Sequence, residues 1–174
     1  TPSHNTVAID MQSQRSLADG IVETFDEENG SLKVTAKGIY DAVNYTRHLR
    51  VGDRQLEDRF DVLTYEEHTM DWFFYCLGDL QCDYDTEALA SLGDANGYQH
   101  LFDIRQFDTD GDWSVDFVLA DKTIRVAMAG APGTTVHLVN SYMDSTAHTR
   151  QGLVVRRRAI STSFDTLYTC NRHK

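Results

Sequence analysis

A chain of 174 residues with 27 acidic and 16 basic side chains, a formal charge of −11, is long enough to bury a core. At 41% apolar residues, with eight Tyr, eight Phe and two Trp, it is too hydrophobic to stay disordered. The acidic excess argues against nucleic acid and against anionic membranes as partners, because affinity for both comes from Lys and Arg, and no apolar run approaches the roughly 18 residues of a spanning helix.

Taken in order, residues 1–10 are polar and patternless and read as a flexible N-terminal arm, leaving 11–174 as one globular domain. The segment MQSQRSLADG suits a short helix stopped by Gly20. IVETF, DEENG and SLKVTAKG then form two β-prone runs about an acidic turn, which predicts a hairpin. From Ile39 to Val51 two patterns compete: Ile39, Ala42, Val43, Thr46 and Leu49 fall on a helical stripe, whereas the Tyr, Val and Thr content suits a strand.

FDVLTYEEHTMDWFFYCLGD reads as two strands, or as a strand and a short helix, with 71–80 open between the two. Within it Trp72, Phe74 and Cys76 alternate with Phe73, Tyr75 and Leu77 and neither set is polar, so a strand here must be covered on both faces. TEALASL, ended by GDANG, predicts a second helix. Six alternating runs follow, at 101–107, 113–119, 123–129, 134–140, 153–159 and 164–170, separated by turn residues. The fold class that results is mainly β, an antiparallel meander closed into a barrel or strongly curved, with one or two short helices. The alternative is an α+β cone with early helices packed on the C-terminal sheet.

Four features carry chemistry. The turn FDTDGDWSVDF places Asp108, Asp110, Asp112 and Asp116 at alternating loop positions, where hard oxygen ligands converge on calcium. It resembles the hairpin calcium loop of integrin-type propeller repeats, D-x-D-G-D-G-x-x-D, at Asp108, Asp110, Gly111, Asp112 and Asp116, and departs from it where Trp113 replaces the second glycine. That resemblance implies calcium; no other cofactor is expected. His137, inside TTVHLVN, is the catalytic candidate, an imidazole able to act as acid or base near neutrality. The knot Arg156, Arg157, Arg158 puts Arg156 and Arg158 on one strand face, where they bind a carboxylate or phosphate ligand or pair with acids on neighbouring strands. Cys76, Cys82 and Cys170 allow one disulfide, and with the acceptor triplets Asn29-Gly-Ser31 and Asn44-Tyr-Thr46 they favour a secreted protein over a cytoplasmic one.

Phosphate-cradling, nucleophile-elbow and zinc motifs are absent. Two functions fit. One is a pocket for a small apolar or aromatic ligand, lined by Trp72, Phe74, Tyr75, Trp113, Arg156 and Arg158, used for binding or for cofactor-free isomerase, cyclase or lyase chemistry through His137. The other is a non-catalytic secreted or surface interaction domain stabilised by calcium.

Overall fold

The computed structural model describes residues 2–15 and 19–173. Its strands are β1 (Val7–Ile9), β2 (Gly20–Asp26), β3 (Ser31–Lys37), β4 (Asn44–Gly52), β5 (Gln55–Cys76), β6 (Asp79–Gln81), β7 (Glu87–Leu89), β8 (Leu101–Thr109), β9 (Trp113–Val118), β10 (Lys122–Met128), β11 (Thr134–Tyr142) and β12 (Thr149–Arg172). Every pairing is antiparallel, and the twelve strands form one continuous, strongly curved sheet that does not close.

Two strands organise it. β5 and β12 run for 22 and 24 residues, and at about 3.3 Å per residue such strands would outrun a domain of this size if they were straight. They bend instead, together. Pairing proceeds from Gln151↔Cys76 to Ala159↔His68, jumps, and resumes from Ser161↔Leu63 to Thr169↔Gln55. Four residues, 64–67, therefore face the single Ile160 at a corner. The Thr64 hydroxyl sits 2.5 Å from the Ile160 carbonyl and 2.6 Å from that of Glu66, which pins the turn.

The corner divides the sheet into two layers. On one side β5 and β12 pair with β4 and β10, extended outward by β3 and β2 and by β9 and β6; on the other they pair with β1 and β11, followed by β8 and β7. Inward side chains of both layers meet in the main core. Trp72 stacks on Phe74 and Phe164 at centroid distances of 5.8 and 6.5 Å, and Phe74 contacts Phe117 and Tyr168 at 5.7 and 4.9 Å. The opposite face of the second layer is covered as well: Phe73, Tyr75, Val139 and Val154 pack under Leu92, Tyr98, Leu101 and Ile104. Both faces of WFFY are thus buried, as its doubly apolar alternation requires.

Corrections to the sequence reading cluster in the first hundred residues. The curved sheet is right and the closed barrel is not, since β2 and β6 end one layer and β1 and β7 the other as free edges. Among the described residues the helical content is one 3-10 turn, Tyr98–His100, so the α+β cone does not form. TEALASL forms β7 and a turn, because Leu89 and Leu92 are drawn into the second cluster and tertiary packing overrides local helix propensity. Residues 11–15, 19 and 20 of that candidate helix are not helical, and 16–18 lie outside the described residues. Ile39 to Val51 becomes a turn and then β4, and 71–80 is the end of β5 and the start of β6.

The arm is not free either. Val7, Ala8 and Ile9 pair with Trp72, Asp71 and Met70 and are all buried, while the Asn5 side chain accepts a hydrogen bond from the Tyr75 amide at 2.9 Å. Ile9→Ala is therefore expected to cost about 2–5 kcal/mol in urea denaturation, whereas Ile21→Ala on the exposed edge strand β2 changes stability by no more than about 0.5 kcal/mol.

Candidate functional site

The charged residues of β3, β4, β5 and β12 alternate with the core residues, so their side chains share the outward face of the first layer. Register aligns them. Lys33 faces His48, His48 faces Arg59 and Arg59 faces Asp165, a row of four across four adjacent strands. The rows beside it are Ser31, Arg50, Glu57 and Leu167, and Thr35, Thr46, Asp61 and Ser163. The face is hollow: a groove of about 970 Å³ runs over it, bordered by Thr24 at the β2 side and by Asp112 and Ala129 at the other.

Lys33 and Arg59 flank His48 in this row, and acids around them pair with all three. Glu23 takes the Lys33 ammonium at 2.7 Å and the Thr35 hydroxyl at 2.6 Å, and these bonds hold its carboxyl below the usual carboxylate value. Asp61 accepts Arg59 Nε at 2.9 Å and the Ser163 hydroxyl, and lies 3.9 Å from His48 Nε2. Asp165 approaches Arg59 at 3.7 Å. Beneath the floor Asp58, 2% exposed, accepts two bonds from Arg47 at 2.8 and 2.5 Å, fixing β4 to β5 from the core side. The result is a mutually paired polar surface whose groups still present lone pairs and N–H bonds to a ligand. His48, beside Asp61, is the imidazole that borders the groove.

The sequence-named residues lie elsewhere for the most part. His137 is buried, with Nδ1 3.0 Å from the Val154 carbonyl, and burial lowers its pKa and keeps the ring neutral. Trp72 and Phe74 form part of the core stack, and Trp113 packs against Phe107 in that core while also bordering the groove. Tyr75 belongs to the opposite face of the second layer. Arg156 makes a bidentate pair with the fully buried Asp71, at 2.7 and 2.8 Å, to which the Tyr98 hydroxyl also donates at 2.6 Å. Arg158 pairs with Glu67 at 2.7 Å on the surface. Between them, Arg157 points the other way and is buried, its guanidinium bonded to Thr134, Thr162 and the Ser163 and Ala129 carbonyls; desolvation lowers its pKa to about 10.

The acidic tip reaches separate protein donors. Asp108 takes the Thr135 hydroxyl at 2.6 Å, Asp110 the Gly133 amide at 2.8 Å, Asp112 the Gly130 amide at 2.7 Å, and Asp116 both arms of Arg125 at 2.8 Å. These bonds clamp the β8–β9 turn onto the β10–β11 loop, so closely that a side chain at Gly130 would meet the Gly111 backbone at 2.4 Å. Among the described residues no group of three or more His, Cys, Asp or Glu is placed to hold a metal ion. Cys76, Cys82 and Cys170 are free thiols.

No family model and no curated protein matches the sequence. Solved structures do match. Heparan sulfate lyase HepC from Pedobacter heparinus, as a mutant, superposes with a TM-score of 0.69 at 10% identity, over 99% of this chain and 25% of that one. A heparinase III gene product gives 0.67 at 12% identity, over 98% and 24%, and another heparinase III gives 0.63 at 16%, over 97% and 23%. The likeness is one of fold. This chain spans about a quarter of the length of those proteins.

The groove residues escaped the sequence reading because alternating charge on a strand looks like an ordinary solvated face. One signal was available: TRHLR and EDRFD carry polar or charged residues at every second position. For the arginine knot, the geometry separates two residues that look alike in sequence. Arg156→Ala strands a buried carboxylate and should cost about 3–5 kcal/mol; Arg158→Ala, at a surface pair, should stay within about 1 kcal/mol, both read from the midpoint and slope of chemical unfolding.

Proposed function

We propose that this chain is a ligand-binding β-sandwich module whose outward groove takes a hydroxyl-rich saccharide of low charge. The observation that carries the reading is the in-register row Lys33, His48, Arg59, Asp165 lying in a groove of about 970 Å³. Mutually paired donors and acceptors in register are what recognition of sugar hydroxyls uses. The class of ligand is supported by the solved neighbours, which are a heparan sulfate lyase and heparinases.

Charge narrows it. Four carboxylates (Glu57, Asp61, Asp112, Asp165) border the groove against Lys33, Arg50, Arg59 and one imidazole, in a chain of net charge −11. A densely sulfated chain would meet repulsion there, and an unsulfated or sparsely charged one would not. Binding, rather than bond cleavage, is the role that fits a unit matching a quarter of each lyase.

Calorimetric titration with an unsulfated oligosaccharide of the heparan backbone, beside a sulfated one of equal length, tests this. The unsulfated ligand should bind saturably with little salt dependence and at least as tightly as the sulfated one. Arg59→Ala should weaken it about tenfold, the loss of a hydrogen bond to a charged group. Absence of saturable binding by either sugar, or affinity that climbs with sulfation and collapses in salt, would contradict the proposal.

A further inference from the structure

A second cavity, of about 520 Å³, opens at the far end of the second layer, where residues 2–3, the 96–101 turn and the β11–β12 hairpin meet. At its wall lies Arg150. Its guanidinium stacks on the Tyr75 ring at 4.1 Å, Nε donates to the Ser141 hydroxyl at 3.3 Å, and Nη2 donates to the Ser3 carbonyl at 3.0 Å.

These contacts hold the group without neutralising it. Arg15, Arg47, Arg50, Arg59, Arg125, Arg156 and Arg158 each form an ion pair with an acid, whereas among the described residues Arg150 forms none. The acid that borders the cavity, Asp144, is engaged by His148 at 2.8 Å. In a chain with 27 acids, a half-buried arginine held by neutral partners retains its full charge for an incoming anion.

The shelf under it is built to shape. Tyr75 lies flat on Gly152, where a Cβ would come within 2.3 Å of the ring, and desolvation pushes the phenol up to about 12 so that it stays protonated beside the cation. Gly152 thus sets the ring, and the ring sets the guanidinium plane. Around this point His100 and Asn96 add hydrogen-bonding groups at the rim.

We propose that the Arg150 cavity is a binding site for a single oxyanion, carboxylate or sulfate ester, carried on a small polar ring. It is separate from the outward groove and does not depend on the reading given to that groove. An arginine fork bonded to neutral groups on one side presents its remaining N–H bonds in the geometry that a planar or tetrahedral oxyanion accepts.

Heteronuclear NMR on the whole chain tests it, following the Arg150 Nε–H and the Gly152 amide during titration with glucuronate, glucose 6-sulfate and glucose. Saturable shifts at both signals with an anionic sugar and none with glucose are expected; whichever anion binds more tightly identifies the source of the oxyanion. Arg150→Lys should weaken binding at least fivefold with the fold unchanged, and Gly152→Ala, by displacing Tyr75, should weaken it similarly while leaving the charge in place. Equal shifts with glucose, or anion binding unaltered in Arg150→Lys, would overturn the site.

Discussion

The structure depends on the pairing of β5 with β12. Nine paired positions on each side of one corner make these two strands the shared middle of both layers, so that neither layer exists without the other. A corner in a sheet costs backbone hydrogen bonds, and the groups freed there must find partners. They do: the Thr64 hydroxyl lies between the Ile160 and Glu66 carbonyls, and the buried Arg157 donates to the Ser163 carbonyl. Folding a long ribbon on itself brings Trp72 of one arm against Phe164 of the other, and the main core grows from that contact.

Buried charge follows the same ribbon. Asp71 and Arg156 are register partners across it, as are Asp58 and Thr166, with Arg47 reaching Asp58 from β4. Each acid is buried with a bidentate arginine, the arrangement in which the cost of desolvation is best offset. Outward, the same register that aligns the core residues aligns Lys33, His48, Arg59 and Asp165. The groove is thus a by-product of core packing in the sense that alternation leaves no other place for those side chains to go.

Much of this was legible in the chain. The 20–37 hairpin shows because alternation and a Gly-ended turn coincide, and the last six runs show for the same reason. What did not show was continuity: ISTS reads as a separator between two runs and TYEE falls in a stretch that reads as two elements, yet they form the corner through which β12 and β5 pass unbroken. TEALASL is rich in helix formers yet supplies only Leu89 and Leu92 to a core already shaped by β8. VAI is too short an apolar run to register, although it fills an edge beside β5. Period-two alternation did place Arg156 and Arg158 together and Arg157 apart. Their partners lie far off in sequence, Asp71 being 85 residues from Arg156, and spacing carries no information about such contacts. The groove was invisible for a different reason, since a charged strand face and a binding surface have the same local pattern until register lines four strands up.

The central claim is that the outward face of the β3–β4–β5–β12 layer, rather than the aromatic interior, is where this fold meets its ligand. Backbone amide shift mapping with an unsulfated heparan-backbone oligosaccharide addresses it directly. Perturbations confined to Lys33, His48, Arg59, Asp165 and their register neighbours are expected, with Trp72, Phe74 and His137 unmoved. Shifts centred on the core aromatics and His137, with the row unaffected, would contradict the account.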